Sequence, residues 1–320
     1  MSGAGDPDAL ILGVDVGGTT TAAGLVATDG RVLVSRSQPT HEPRGGGAVE
    51  RLLALTAEVA RLPPARERGL AGVGAGLPGL VDVRSGTVGG EAHHVPELSG
   101  VPIARLLAET ARAPAVVDND VNALALGEWR WGAGQGARSF VLLAIGTGVG
   151  GGIVIDGRLH RGAGGFGGEL GHVPIELDGR PCVCGARGCL KAHVAGPDLA
   201  AEATRRLGRP LDAAALFALA RAGDAAAESV LAEATEALAA GLTIIVNGLN
   251  PERLLIAGSV GRAFAAREQD LLTRLSRRAY AGAVATTRIT FLDLGKDHSV
   301  RGGAALVLHE RDGRNPSVRS

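Results

Sequence analysis

Twice along this chain a run of glycines stands directly behind an apolar strand, and no other feature restricts the possible fold as much. Ala9 to Val16 is apolar, Gly17 and Gly18 break it, and Thr21 to Ala27 followed by Asp29-Gly30 predicts a second strand ending in a hairpin turn. Ser139 to Ile145 repeats the layout, with glycines from Gly146 to Gly152, a strand at Ile153 to Ile155 and a closing Asp156-Gly157. The repetition predicts two α/β domains of similar topology facing each other across a cleft, with the glycine turns pointing into it. Arg31 to Ser35 extends the first meander, Val49 to Arg61 has amphipathic helical spacing, and Leu70 to Gly76 is a short strand before the turn at Pro78-Gly79. Pro197 to Gly208 and Ala213 to Gly248 read as helices, the second broken at Gly223-Asp224, and Leu254 to Ala257 reads as a buried strand. The expected division is 1–122, with a last helix at 302–311 packing back on it, then 123–301, then a disordered tail at 312–320.

Charge and cysteine usage narrow the function. Lys plus Arg and Asp plus Glu both number 33, so no basic surface is on offer to a nucleic acid. The first residues carry acids where a signal peptide needs bases, and no apolar run reaches the ~18 residues of a membrane span. A cytoplasmic protein without membrane or nucleic-acid partners is expected. All three cysteines fall between Cys182 and Cys189, a metal-site distribution rather than a disulfide framework.

The glycine turns suit anions, because backbone N–H groups can approach a phosphate where no side chain stands in the way. In the first, Asp15-Val16-Gly17-Gly18-Thr19-Thr20, Asp15 would hold Mg²⁺ through water and Thr19 would bond a phosphate. The second, Gly146-Thr147-Gly148 onward, superficially matches a dinucleotide fingerprint, but that motif requires a helix to open at its third glycine, and β-branched residues follow here. Between the turns lies Asp118-Asn119-Asp120, at a junction of strand and helix. A helix cap is the ordinary use of such residues, yet phosphoryl transfer needs a carboxylate to take the proton of the attacking hydroxyl, and Asp120 is placed for that. His172, Cys182, Cys184 and Cys189 form a set of one imidazole and three thiols, suited to a closed, structural Zn²⁺ site.

Together these residues resemble the ROK family of repressors and sugar kinases, and within it the bacterial glucokinase branch. The motifs run in order: DVGGTT at Asp15 to Thr20, GLPGLVD at Gly76 to Asp82, DNDVNA at Asp118 to Ala123, GTGVGGG at Gly146 to Gly152, ELGH at Glu169 to His172, CVCGARGCL at Cys182 to Leu190 and IAGSVG at Ile256 to Gly261. The resemblance implies the two-domain actin-like ATPase (ribonuclease H-like) α/β fold with its active site in the interdomain cleft, ATP with Mg²⁺ as phosphoryl donor, and a dimer or tetramer. It implies Asp120 as catalytic base, and Gly79, His94, Asn119, Asp120, Glu169, His172 and Lys191 around a sugar or cyclitol acceptor. His172 would serve zinc with one ring nitrogen and substrate with the other. Asp15, Gly17, Gly18, Thr19, Thr20, Gly146, Thr147, Gly148, Gly258 and Ser259 would line the nucleotide.

Three departures from the family pattern bear on the substrate. Thr20 stands where the family carries Lys, Lys191 where the glucokinase branch carries Glu, and His94, within His93 to Leu98, where it carries Asn. An ammonium only donates hydrogen bonds whereas a carboxylate accepts them, so the Lys191 exchange inverts what the pocket asks of its ligand. A hydroxyl of a C7-cyclitol of the valiolone type, or of a modified hexose, is therefore the expected acceptor, with glucose the alternative. A regulator of the same family would need a helix-turn-helix of about 60 residues ahead of the first strand, and about eight residues precede it here.

Overall fold

The structure, a computed structural model, describes residues 8–42, 46–90, 92, 94–295 and 297–313. His93 and, from residue 314 onward, the expected tail lie outside the described residues. The chain divides into two compact units, one of residues 1–136, 152–167 and 295–320, the other of 137–151 and 168–294.

The first unit opens with β1 (Leu10–Val16), β2 (Thr20–Val26) and β3 (Val32–Pro39), followed by α1 (Ala48–Ala60), α2 (Pro63–Arg68) and β4 (Leu70–Leu77). A small hairpin of β5 (Val81–Asp82) and β6 (Thr87–Val88), then α3 (Ile103–Ala111), β7 (Ala115–Asn119) and α4 (Asp120–Trp131) come next. The five long strands make one sheet in the order β3-β2-β1-β4-β7. β2 pairs antiparallel with β1 and β3, as a hairpin meander must, while β1, β4 and β7 run parallel. Leu10, Leu12, Val14, Leu25, Val73 and Ala75 pack with Leu52, Leu55 and Val59 of α1 and Ile103 and Leu107 of α3 in a single buried cluster.

The rest of the chain supplies β8 (Ser139–Ile145), β9 (Val149–Ile155), β10 (Arg158–Leu159), α5 (Lys191–Val194), α6 (Gly196–Leu207), α7 (Ala213–Arg221) and α8 (Ala225–Leu249). It ends with β11 (Arg253–Ala257), α9 (Ser259–Phe264), α10 (Glu268–Ser276), α11 (Ala281–Thr286), β12 (Arg288–Phe291) and α12 (Asp297–Arg311). The second sheet has the order β10-β9-β8-β11-β12, with β11 parallel to β8 and β12. Both sheets thus join a hairpin to a parallel set, the layout the repeated glycine turns predict.

Four details differ from expectation. The chain first leaves the first unit after Gly136 rather than at 122/123, because residue 122 lies inside the continuous helix α4. β9 starts at Val149 rather than Ile153, so Gly150 to Gly152 belong to the strand. A Cβ on Gly151 would stand 2.7 Å from Gly168 O, and one on Gly152 would stand 2.4 Å from Ala125 Cβ, so these glycines admit close neighbours rather than form the turn. α12 begins at Asp297, five residues ahead of the predicted start, since Gly302 and Gly303 conceal the helical pattern. By length and composition α8 is long and apolar enough to cross a membrane, correcting the expectation that no segment is. Most of its apolar side chains from Ala227 to Val246, among them Val230, Leu231, Leu238, Leu242 and Ile245, are buried in the second unit, as in a core helix, while Ile244 is exposed.

Candidate active site

In the first unit the carboxyl ends of three parallel strands meet. Asp15 of β1 lies opposite Gly76 of β4, and Gly76 opposite Asp118 of β7. A Cβ at residue 76 would sit 3.1 Å from Asp120 Cα and 3.6 Å from Asp15 Oδ1, so the glycine lets Asp15 and the start of α4 approach each other. Ligands of open α/β sheets bind at such strand ends.

The helix cap is Asn119. Its side-chain oxygen accepts the N–H groups of Val121 at 2.9 Å and Asn122 at 3.2 Å, and its amide donates to the Gly79 carbonyl at 3.1 Å. Gly79, at φ 85°, turns the chain there in a conformation that favours glycine. With capping done by its neighbour, Asp120 opens α4 and accepts the Val121 N–H at 2.9 Å through Oδ1, with its own N–H and the Asn119 side chain as further hydrogen-bond donors. Burial first, and then the charge of Asp15, push the Asp120 carboxyl up to about 7. Burial likewise pushes Asp15 up to about 6, against a hydrogen bond from Ser299. Two carboxyls that resist ionising together form a donor set that a hydrated divalent cation would relieve, so Asp15 fits Mg²⁺.

Beside them is the turn between β1 and β2. The Gly17 N–H closes on Thr20 O at 2.9 Å, and the Thr40 hydroxyl donates to Gly17 O at 2.6 Å. Gly18, Thr19 and Thr20 are exposed. His94 packs on this turn: a Cβ at Gly18 would lie 2.9 Å from His94 Cβ.

The second unit repeats the device. The Gly146 N–H donates to Gly148 O at 2.9 Å, and Gly146 O accepts the Gly196 N–H at 2.8 Å, leaving Thr147 exposed at the tip. Because the strand β9 follows, the dinucleotide alternative has no helix to open and is excluded. Gly258, at φ 87°, ends β11 so close to β8 that a Cβ would stand 2.4 Å from Ile145 O. Ser259 Oγ comes 4.0 Å from where a Gly146 Cβ would be. The structure therefore joins Gly146, Gly258 and Ser259 into one surface.

The expected metal ligands also converge. The ligand atoms of His172, Cys182, Cys184 and Cys189 lie within 4.8 Å of one another. His172 Nδ1 is 3.5 Å from Cys182 Sγ, and the Sγ atoms of Cys184 and Cys189 are 3.7 Å apart. Tetrahedral Zn²⁺, with bonds of about 2.3 Å to sulfur and about 2.0 Å to nitrogen, requires about 3.5 Å between the nitrogen and a sulfur and about 3.8 Å between two sulfurs. Burial and the hydrogen bonds of the adjacent thiols push Cys189 up to about 12, a cost that a bound cation would reverse. The residues fit zinc. His172 turns Nε2 toward Glu169, whose Oε2 is 4.0 Å away, so the ring has one nitrogen for the metal and one on the Glu169 side.

Lys191 stands at the head of α5 with its side chain largely buried, and its ammonium lies 2.9 Å from Asp198 Oδ2 at the start of α6. It is an ion-paired group rather than a free donor. Sequence reasoning also missed Arg161, whose guanidinium grips Asp118; a single arginine after a two-residue strand leaves no motif to find.

The ROK family model matches residues 11–310. A glucokinase of Thermotoga maritima is 33% identical over 326 residues, which cover 96% of this chain and 99% of that protein. The ROK hexokinase structure from Thermus thermophilus superposes with a TM-score of 0.82 at 33% identity, covering 95% of this chain and 99% of that one. The ROK family glucokinase of Streptomyces griseus, solved in complex with glucose and AMPPNP, gives a TM-score of 0.72 at 28% identity over 93% of this chain and 98% of that one.

Proposed function

The chain belongs to the ROK family, with its actin-like ATPase fold, and is a phosphotransferase with a hydroxyl acceptor; from that membership we propose that it transfers the γ-phosphoryl group of ATP to a primary hydroxyl of a sugar-like ring. One observation carries the assignment of the base. Asn119 caps α4, which frees Asp120 to hold a half-buried carboxyl near neutrality, the value suited to taking a proton at physiological pH.

In this reading Asp120 accepts the proton of the attacking hydroxyl and orients its oxygen. Asn119, Gly79, His94, Glu169 and His172 contact the acceptor. Asp15 would hold Mg²⁺, whose charge neutralises the transferring phosphates, and the Gly17 to Thr20 turn would present N–H groups to them. The surface of Gly146, Thr147, Gly148, Gly258 and Ser259 would carry the rest of the nucleotide. Zinc would be structural, fixing His172. The test is ADP release from purified protein against a panel of hexoses, N-acetylhexosamines and C7-cyclitols; no turnover with any of them refutes the proposal.

The acceptor we favour is a C7-cyclitol of the valiolone type or a modified hexose, because Lys191 and His94 replace residues that a glucose pocket uses. Sites built to hydrogen-bond particular hydroxyls reject ligands that leave a buried partner unmatched. The Lys191 ion pair favours a second reading, ordinary glucose phosphorylation, since Asp198 keeps a carboxylate at that point. Steady-state kinetics separate the two: kcat/KM for glucose above about 10⁴ M⁻¹s⁻¹, the lower end of ordinary enzyme efficiency, establishes the second reading and ends the first.

A further inference from the structure

Asp118 precedes the proposed base by two residues, and four donors converge on it. Oδ1 accepts the Asn119 N–H at 2.7 Å and the Asn122 amide at 3.0 Å, while Oδ2 takes Arg161 Nε at 2.7 Å and Arg161 Nη2 at 2.5 Å. The carboxylate's acceptor sites are then filled. The two side chains are only 3% and 9% exposed. The arrangement also leaves Asn122 Oδ1 buried without a hydrogen-bond partner, because the amide is turned to serve Asp118.

A buried ion pair is weak evidence of stabilisation, since apolar residues of the same volume do as well. A buried polar atom left unmatched is costly. Both point to a purpose other than stability, and the hydrogen bonds say which. Asp118 fixes the main-chain N–H of Asn119, Asn119 caps α4, and the cap sets the direction in which Asp120 leaves the helix. The same arginine closes a neighbouring loop with its main chain, since its carbonyl accepts the Gly167 N–H at 2.7 Å. Burial pushes Glu310 in the same cluster up to about 7, with Arg161 opposing and Asp118 adding to the rise.

We propose that Arg161 is a positioning residue for phosphoryl transfer, holding Asp120 in line through Asp118 and Asn119 without touching substrate. The inference rests on Asp120 being the base. Arg161→Gln leaves Asp118 without a counter-charge, so the deciding variant is the double substitution Asp118→Asn with Arg161→Gln, which removes the charges together, keeps the size of Asp118 and leaves a shorter polar amide at residue 161. In full-length protein this variant is expected to lower kcat by roughly 10- to 100-fold, the scale of losing alignment rather than the group itself, with KM for ATP unchanged within about 3-fold. Amide hydrogen exchange at Val121 and Asn122 is expected to quicken at least about 10-fold, because their cap loosens. Arg161→Lys, which keeps the charge but not the planar fork, should recover part of kcat.

Unchanged kcat overturns the proposal whether or not exchange quickens, since a cap that loosens harmlessly is only structural. A fall in kcat with unchanged exchange also overturns it, because the effect then bypasses Asn119. If the double variant does not fold, Asp118→Asn alone is read by the same two measurements. Wild-type protein that turns over no ATP with any acceptor defeats the kinase reading instead, while hydrogen exchange still reports whether Arg161 holds the cap.

Discussion

Replacing Asp120 with Asn keeps its size and its hydrogen bond to the Val121 N–H region, and removes the charge and the proton acceptor. The structure makes opposite demands on activity and stability at this residue. Its carboxyl, ordinarily at 3.8, is raised to about 7 by burial and by Asp15. The folded protein therefore binds a proton that the unfolded chain has released, and the penalty for ionising Asp120 grows as pH rises from about 4 to about 7, then stays constant. On the linkage scale that penalty is on the order of 4 kcal/mol, and about half that once the water still reaching the half-buried side chain is allowed for. At about pH 8 the Asn variant should therefore be more stable by about 2 kcal/mol, a rise in melting temperature on the order of 5 °C for a protein of this size. The gain should disappear by about pH 4, where wild type is protonated in both states. Over the same range kcat should be lower by roughly 10²-fold or more, the range for loss of a general base, with ATP still bound. Thermal melts between pH 4 and 8 and steady-state rates of one preparation supply both numbers. A variant that turns over within about 5-fold of wild type refutes Asp120 as the base, and one that is less stable at pH 8 refutes the account of its raised carboxyl.

Cys184→Ser leaves a four-ligand site with three strong donors and an unanchored His172, so elemental analysis should find close to one zinc per chain in wild type and much less in the variant, with a lower melting temperature; wild type without zinc defeats the idea. Glu128, only 3% exposed, accepts from His298 Nδ1 at 2.6 Å and the Ala133 N–H at 3.1 Å, bonds that outweigh burial and lower its carboxyl. Glu128→Gln should cost about 3 kcal/mol at neutral pH. The ionised form contributes stability above the ordinary 4.5, so the difference should shrink as pH falls below that value in denaturant titrations; a constant difference refutes it.

What the chain discloses about itself depends on how local each signal is. The glycine hairpins are legible because β-branched residues after Gly152 forbid the helix that a dinucleotide turn needs. The metal cluster is legible because three cysteines share one short stretch of a chain that has no others. Whether Asn119 or Asp120 caps α4 is not legible, since either can; the decision lies in the non-helical backbone of Asn119, at φ −58° and ψ 144°. Arg161 and Asp118 are separated by 43 residues, and Lys191 meets Asp198 across two helices, so both pairings appear only after folding. α3 goes unpredicted because its start at Pro102 offers no side-chain cap.

The last helix, α12, lies on β1, β4 and α4 at backbone distance. A Cβ on Gly13 would stand 1.9 Å from Val300 O, one on Gly74 would stand 1.9 Å from Gly303 O, and one on Gly127 would stand 3.0 Å from Gly302. Nothing but the main chain of residues 300–303 fits that seam. The glycine face of β1 thus waits for a segment far along the chain before it is covered, and Asp15 waits with it for Ser299. Contacts so distant in sequence are slow to form. Until α12 docks, this face of the sheet stands open and Asp15 lacks the hydrogen bond of Ser299, so completion of the strand ends around Asp15 is coupled to the docking of that one helix.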